Sequence, residues 1–282
     1  MSTDIWRVPP TAYKTLVRAG FAPTNALSMY YEIHGVGDGT PLVTIHPFLG
    51  LANVFPELAR RRPLVAIDLQ GHGRTPDIDR PLTFEQEADD VAALVVYLGF
   101  TQVDLFGESF GGITAMLVAS RHPELVRRVA TYGSLLGDPK KYGRAESAAA
   151  FKSLTADHES IRFQRECYLR VAPSPENWVT LFGKATCIPW SGLGAEELQK
   201  ITIPVLIAAG DHDHLGPRLD HYLDIASLLP NSQLAIIPDA GHFVLNDDPE
   251  RLLSVVADFF ERPTSSVPFA TTLSGYHPGK SR

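Results

Sequence analysis

The sequence predicts an α/β fold with a mostly parallel central sheet that is flanked by helices. Mostly apolar runs at residues 41–46, 63–68 and 103–107 alternate with segments of helical apolar spacing. Runs rich in Val, Ile and Leu are typical of strands in the middle of a parallel sheet, where helices cover both faces. The alternation resumes at 203–209 and 234–237, so we expect both halves of the chain to contribute strands to one sheet.

The N-terminal part of the chain is predicted to start this sheet. Residues 1–24 mix prolines and charges without clear periodicity, which indicates an irregular arm or one short helix. Residues 27–34 and the glycine-rich turn after them predict an antiparallel first strand. The segment between the first two apolar runs has helical apolar spacing around Leu58. Thr83 and Gln86 then form a capping box at the start of a helix, in which Gln86 reaches back to the N-cap.

The pattern divides the chain into five parts. An N-terminal arm (1–24) precedes the first part of the core (25–135), and the second part of the core covers 201–262. Between them, residues 136–200 lack buried-strand runs and carry several aromatic residues, which predicts a cap of three or four helices over the carboxyl edge of the sheet. Residues 263–282 are polar and contain prolines, so we expect a flexible C-terminal tail.

Composition excludes several classes of protein. The chain has 282 residues and a formal net charge of −7, which fits one large domain and argues against a nucleic-acid surface. Cys167 and Cys187 are its two cysteines, too few for a disulfide framework and not spaced like metal ligands. No apolar run is long enough to span a membrane. We therefore expect a soluble cytoplasmic protein, a monomer or a homodimer, that uses no metal or cofactor and binds neither membrane nor nucleic acid.

A candidate nucleophile lies at the turn after the run at 103–107. The motif G-x-S-x-G is formed by Gly107, Ser109 and Gly111, and a helical segment follows directly. Strand, sharp turn and helix are the context in which this motif presents a reactive serine. The two glycines remove the Cβ atoms that would clash where strand and helix approach closely. Ser109 is therefore the predicted nucleophile.

Two further groups follow later strands at the same predicted edge. Asp211 and Asp213 come after the strand at 203–209, and His242 comes after the next strand. Chemistry in such sheets gathers at the carboxyl ends of the strands, so these side chains are expected to converge on Ser109. A histidine can take the proton from a serine hydroxyl as it attacks, and an aspartate holds the imidazole in the required tautomer. Either aspartate could be that acid on the pattern alone.

At these residues the chain resembles the α/β-hydrolase family over residues 25–262. The segments that carry the resemblance are 46–50, which looks like an oxyanion loop, 68–75, which matches D-x-x-G-x-G-x-[ST], and 240–242, which looks like a histidine loop. The resemblance selects Asp213 as the acid, three residues after a glycine. A family variant would place the acid after the strand before the cap, where Asp138 is the first carboxylate.

The resemblance also implies an oxyanion hole. The amide of Phe110, the residue after the nucleophile, would be one donor. The amide of Phe48 would be the second. The usual glycine before that position is replaced by Pro47, which has no N–H, so the geometry of this loop becomes an open question.

The predicted function is hydrolysis of carboxylic esters of small to medium apolar substrates through an acyl-enzyme intermediate. Trp178, Trp190 and Phe243 are candidate residues of the substrate pocket. A lactonase, a carbon–carbon bond hydrolase and a perhydrolase could use the same triad, and a ligand-binding receptor that keeps the triad without turnover is the alternative from another class. Serine at position 109 disfavours family members that use aspartate there.

Overall fold

An eight-stranded sheet forms the centre of the computed structural model, which describes residues 14–52 and 54–262. Its order is β1-β2-β4-β3-β5-β6-β7-β8. The strands are β1 (Leu16–Thr24), β2 (Leu27–His34), β3 (Leu42–Ile45), β4 (Leu64–Ile67), β5 (Val103–Glu108), β6 (Val126–Tyr132), β7 (Val205–Gly210) and β8 (Ser232–Ile237). The helices are α1 (Phe84–Tyr97), α2 (Phe110–Arg121), α3 (Pro139–Tyr142), α4 (Ala145–Ser153), α5 (Arg162–Val171), α6 (Trp178–Thr186), α7 (Ala195–Lys200), α8 (Leu219–Leu228), α9 (Val244–Asp247) and α10 (Pro249–Glu261).

The sheet is parallel from β4 to β8 and antiparallel at its start. β2 pairs antiparallel with both β1 and β4, while β3, β5, β6, β7 and β8 join their neighbours in parallel. Every residue of β3, β4, β5 and β7 is buried, because helices pack on both faces. The predicted α/β class with a mostly parallel sheet is therefore confirmed.

The first strand corrects the expectation for residues 1–24. Residues 16–24 form β1, an edge strand paired with β2, rather than an irregular arm or a short helix. An edge strand is half solvated, so it lacks the continuous apolar run that marks the inner strands. Phe21 is 50% exposed whereas its neighbour Ala22 is fully buried. Residues 1–13 of the expected arm and the expected tail at 263–282 lie outside the described residues.

Two local expectations also differ from the structure. Thr83 does accept a hydrogen bond from the Gln86 amide at 3.1 Å, but the Gln86 side chain donates to Asp90 Oδ1 at 3.3 Å instead of reaching back. The residues around Leu58 form turns where helical spacing had suggested a helix. Their apolar spacing reflects burial, because Phe55 and Leu58 pack in the core cluster on one side of the sheet.

The insertion at 136–200, called the cap below, contains the five helices α3–α7 rather than three or four. Its aromatic side chains Trp178, Tyr168 and Phe182 form a small hydrophobic cluster that also includes Leu49 and Leu82 of the sheet domain. Lys184 of α6 fastens the cap to the sheet domain by donating to Asp77 Oδ2 at 2.6 Å and to two backbone carbonyls. Across the described ranges, no helix has the length and hydropathy needed to cross a bilayer.

Candidate active site

The turn between β5 and α2 presents Ser109 in a strained backbone conformation. Its φ is 52° and its ψ is −116°, values that a residue with a side chain rarely adopts. A Cβ on Gly107 would lie 2.2 Å from the Gly111 carbonyl, and a Cβ on Gly111 would lie 2.2 Å from the Ile45 carbonyl. The glycines therefore let β5, α2 and β3 approach closely enough to hold the serine at the apex.

The three polar groups predicted at the strand ends form a chain in which the His242 imidazole lies within hydrogen-bond distance of both Asp213 and Ser109. His242 follows β8, and its Nδ1 lies 2.8 Å from Asp213 Oδ2 in the loop after β7. Its Nε2 lies 3.2 Å from Ser109 Oγ. Because the carboxylate accepts the Nδ1–H, Nε2 is left as an acceptor for the serine hydroxyl proton. The arrangement can therefore move a proton from serine to imidazole.

The electrostatics of this chain favour a charged pair at Asp213 and His242. Burial would raise the pKa of Asp213, but the hydrogen bonds from His242 and from the Gly216 and Leu215 amides outweigh it and lower that pKa. Burial would likewise lower the pKa of His242, yet its hydrogen bond to Asp213 and the charges of Asp213 and Glu108 raise it. An imidazolium formed during proton transfer is stabilised by the same groups.

Asp211 is the other aspartate that the sequence pattern left open as the acid. It is Asp213, not Asp211, that bonds the His242 imidazole. Asp211 Oδ1 accepts the Ala240 amide at 3.3 Å and is 3.0 Å from His212 Nδ1. The bond from the Ala240 amide joins the loop after β7 to the loop that carries His242. Asp138, the family-variant alternative, caps α3 by accepting the Lys140 amide at 2.9 Å.

The loop after β3 brings Phe48 beside Phe110, with their ring centroids 5.3 Å apart. Pro47 organises this loop through its carbonyl, which accepts from His46 Nδ1–H and from the Gly50 amide, each at 2.9 Å. Burial lowers the pKa of His46, so its ring is neutral and its Nε2 accepts the Leu69 amide at 3.1 Å. Pro47 thus takes part in this loop as a hydrogen-bond acceptor, a role that does not require a backbone N–H.

Both amides implied for the oxyanion hole belong to residues that line the same cavity as Ser109. Phe110 is the first residue of α2, and the first amides of a helix have no acceptor within that helix. The positive end of the helix dipole also lies there, which favours an oxyanion at this position.

The segment matching D-x-x-G-x-G supports this loop rather than the chemistry. Asp68 is fully buried, and its carboxylate accepts the Ala52 amide at 2.7 Å and the Arg74 guanidinium at 2.8 Å. Gly73 has a φ of 51°, and a Cβ there would lie 2.3 Å from the Asp68 carboxylate. The motif thus ties the loop after β4 to the loop after β3.

A cavity of about 730 Å³ lies between the strand ends and the cap, and its lining is mostly apolar. Ser109 and His242 open into it from the sheet, and Phe151 of α4 and Trp190 close it from the cap. The rings of Phe151 and Phe48 are 5.1 Å apart, so cap and core share one aromatic wall. A ligand in this cavity meets the nucleophile at one end and apolar surface elsewhere.

The three residues predicted for the pocket behave differently. Trp190 and Phe243 line the cavity. Trp178 does not, because it is buried inside the cap against Tyr168 and donates its indole N–H to a backbone carbonyl. Phe151, Leu215 and Arg144 also line the cavity and were not singled out from the sequence, although Phe151 belongs to the aromatic set of the cap. Whether a cap aromatic faces core or cavity depends on how short helices rotate, which composition does not encode.

The described residues contain no cluster of three His, Cys, Asp or Glu side chains that could hold a metal ion. Cys167 and Cys187 are not joined in a disulfide bond. The side chains that converge at the strand ends are those of Ser109, His242, Asp213 and Glu108.

Comparisons with known proteins agree with this arrangement. The model of the alpha/beta hydrolase family matches residues 33–255. Serine hydrolase BPHL of Mus musculus is 27% identical over 269 residues, which cover 90% of each chain. A pimeloyl-[acyl-carrier protein] methyl ester esterase of Neisseria meningitidis serogroup A is 30% identical over 277 residues, covering 90% of this chain and 83% of that protein. The solved structure of a thermophilic esterase from Thermogutta terrifontis aligns with a TM-score of 0.70 at 20% identity, over 88% of this chain and 100% of that chain.

The parallel sheet and the relatives that are named as hydrolases and esterases identify a hydrolytic enzyme. The chain belongs to the alpha/beta hydrolase family.

Proposed function

We propose that this enzyme cleaves carboxylic esters of small to medium apolar substrates through a Ser109 acyl-enzyme. The observation that carries the proposal is the hydrogen-bonded chain from Asp213 through His242 to Ser109, which opens into a mostly apolar cavity. Two of the similar proteins are named as a serine hydrolase and as a methyl ester esterase, which supports the choice of ester bonds.

In the first half of the proposed reaction, Ser109 Oγ attacks the acyl carbon while His242 Nε2 takes its proton. The carbonyl oxygen becomes an oxyanion and accepts hydrogen bonds from the Phe48 and Phe110 amides. Each such donor typically contributes about 2.7–4 kcal/mol to transition-state stabilisation. The imidazolium then gives its proton to the alcohol oxygen, the C–O bond breaks and the alcohol leaves.

In the second half, water replaces the alcohol. His242 takes a proton from that water, the resulting hydroxide attacks the acyl-enzyme, and the protonated imidazole returns the proton to Ser109 Oγ as the carboxylic acid departs. Asp213 holds the His242 imidazole in one orientation and one tautomer throughout, so Nε2 transfers the proton in both halves of the reaction.

The test is hydrolysis of a series of p-nitrophenyl esters with increasing acyl length, comparing the wild type with Ser109→Ala. We expect turnover by the wild type and a loss of several orders of magnitude in the variant, because removing a triad member leaves only binding and oxyanion stabilisation. Ser254→Ala is the matched control, since that hydroxyl lies on the exposed side of α10 and donates to a backbone carbonyl. If no ester is turned over, or if Ser109→Ala keeps the wild-type rate, the proposal is wrong.

A further inference from the structure

Glu108, the last residue of β5, carries a buried carboxyl group that forms or breaks no bond in the proposed reaction and acts there only through its charge on His242. The residue directly precedes Ser109 and lines the same cavity, with 4% of its surface exposed. Its Oε2 is buried and has no hydrogen-bond partner among the residues that the structure describes. Buried polar groups are nearly always paired, so an unpaired one at the nucleophile needs an explanation.

Other buried carboxyl groups of this chain are paired. Asp68 accepts backbone and guanidinium donors, and Asp104 accepts from two arginines. Glu87, on the neighbouring helix α1, accepts the Thr114 hydroxyl at 2.9 Å. Glu108 differs from these in having the cavity in place of a protein donor.

Three neighbours of Glu108, namely His242, Asp213 and Tyr132, offer it no hydrogen-bond donor. His242 uses Nδ1–H for Asp213, and its Nε2 faces Ser109. The Asp213 carboxylate is itself an acceptor, and the hydroxyl of Tyr132, the strand partner of Glu108, donates to a backbone carbonyl at 2.5 Å. Burial raises the pKa of Glu108 to about 7, with the His242 charge acting in the opposite direction and Asp213 adding to the rise. Near neutral pH the carboxyl is therefore divided between its acid and ionised forms, and each has an oxygen that can accept.

We propose that Glu108 recognises a hydrogen-bond donor, a hydroxyl or an amine, that the substrate carries within a few bonds of its scissile carbonyl. The inference rests on the proposed ester hydrolysis and names the class of ester: an apolar body with one donor beside the reacting group. Glu108 lines the same cavity as Ser109, and its carboxyl group lies near enough to His242 and Asp213 to interact with their charges, so the donor is placed close to the carbon that Ser109 attacks. When an ester without such a donor fills the cavity and displaces water, the carboxyl remains buried and unpaired. A site built to bond a substrate hydroxyl rejects the analogue that lacks it for this reason.

The test compares esters of matched shape. Racemic methyl 3-hydroxybutyrate, racemic methyl 3-aminobutyrate and methyl 3-methylbutanoate differ only in a hydroxyl, amino or methyl group on the acyl side. 2-Hydroxypropyl butyrate and 2-methylpropyl butyrate make the same comparison on the alcohol side. Hydrolysis is followed by pH-stat at pH 6 and pH 8 for the wild type, Glu108→Gln and Glu108→Leu. The ratio of two kcat/KM values in one preparation does not depend on its active fraction, so partial misfolding of a variant leaves the ratio interpretable.

We expect the wild type to prefer at least one donor-bearing ester over its methyl analogue by about 10- to 100-fold. Glu108→Leu should bring that ratio close to one, and any general loss of activity caused by removing its charge near His242 cancels in the ratio. Glu108→Gln should keep part of a preference for the hydroxyl ester, because its amide oxygen still accepts a hydrogen bond. It should lose any additional preference for the amino ester at pH 8, because the wild-type carboxylate is charged there and the amide is not.

Each contrary result has its own meaning. A wild-type ratio near one for all pairs overturns the recognition role whether or not the variants fold. If Glu108→Leu keeps the wild-type ratio of kcat/KM values and only its pH profile is displaced, Glu108 acts on the ionisation of His242. That result also overturns the recognition role. If the wild type cleaves none of these esters and no p-nitrophenyl ester either, the ester proposal itself has failed.

Discussion

The carboxyl edge of the sheet and the cap above it contribute to the cavity in different ways. At the sheet edge, Ser109, Asp213 and His242 follow strands whose positions are fixed by backbone pairing and close packing. In the cap, Phe151 and Trp190 face the cavity from an exposed short helix and from a loop. From this difference we infer that residues at the sheet edge determine the reaction and the stability of the fold, whereas residues of the cap determine which substrates bind.

The largest effect should come from the acid at the sheet edge. We expect Asp213→Asn to lower kcat by about 10,000-fold, since an amide at this position favours the wrong imidazole tautomer. The measurement is p-nitrophenyl butyrate hydrolysis, with unchanged thermal unfolding as proof of folding.

Asp211→Asn is the matched control because Asp211 lies two residues away and contacts the neighbouring loop instead of the imidazole. Its kcat should stay within about threefold of wild type. Equal losses in the two variants would mean that the loop as a whole, and not the Asp213 carboxylate, supports the histidine.

The second effect concerns stability of the sheet. Asp104 on β5 is fully buried and accepts from Arg62 Nη1 at 2.7 Å and from Arg127 Nε at 2.8 Å. We expect Asp104→Asn to lower the free energy of unfolding by about 3–5 kcal/mol, because it leaves buried guanidinium charge uncompensated. Urea unfolding followed by circular dichroism measures it.

The control for that loss is Asp89→Asn, which breaks a half-exposed pair with Arg121 and should cost at most about 1 kcal/mol. In Asp104→Asn molecules that remain folded, kcat/KM should be close to wild type. A large catalytic loss without a loss of stability would contradict the separation of the sheet interior from the chemistry at its edge.

The third effect is the pH dependence of the reaction. His242 must be neutral to take the serine proton, and its hydrogen bond to Asp213 and the nearby carboxylate charges outweigh burial and raise its pKa above 6.5. Below that pKa, kcat/KM should fall tenfold for each pH unit. The midpoint of the acid limb should therefore lie above pH 6.5, while Asp213, whose pKa is lowered, stays ionised throughout.

The profile can be recorded from pH 5 to 9 at constant ionic strength, at a wavelength where p-nitrophenol and its anion absorb equally. Enzyme kept at pH 5 and assayed at pH 8 shows whether the limb is reversible. A reversible midpoint below pH 6.5 would mean that burial outweighs the carboxylates around the imidazole.

The sequence predicted the sheet edge far better than the cap. Ser109 and His242 are tied to glycine-bearing turns after apolar strands, so motif and strand order together located them. Asp213 needed the family resemblance as well, because Asp211 has the same chemistry two residues earlier. The sequence predicts Trp178 and Trp190 equally as pocket residues, yet Trp178 packs inside the cap and Trp190 lines the cavity.

Two elements outside the cap, β1 and the turns around Leu58, differ from what the sequence pattern indicates, and both differences have the same physical cause. β1 escaped prediction because an edge strand buries only part of its surface, as the exposed Phe21 beside the buried Ala22 shows. The buried residues around Leu58 have helical spacing but form turns, because burial alone sets which of them are apolar. Hydrophobic pattern reports which residues are buried, and it identifies the element only where the element is long or fully enclosed.

The smallest effect should come from the cap itself. The Phe151 ring lies 5.1 Å from the Phe48 ring and 6.2 Å from the Phe110 ring, across the boundary between cap and core. Phe151 also lines the cavity, so its removal takes apolar contact from a bound substrate, and Phe151→Ala should raise KM for the ester best fitted to the cavity by about two- to tenfold. We expect kcat to change little, because the residue touches none of the reacting atoms. Val179→Ala, on the exposed side of α6, is the control and should leave KM unchanged. If Phe151→Ala lowered kcat as strongly as it raised KM, the cap would be taking part in the chemical step, and the division between a reactive sheet edge and a selective cap would not hold.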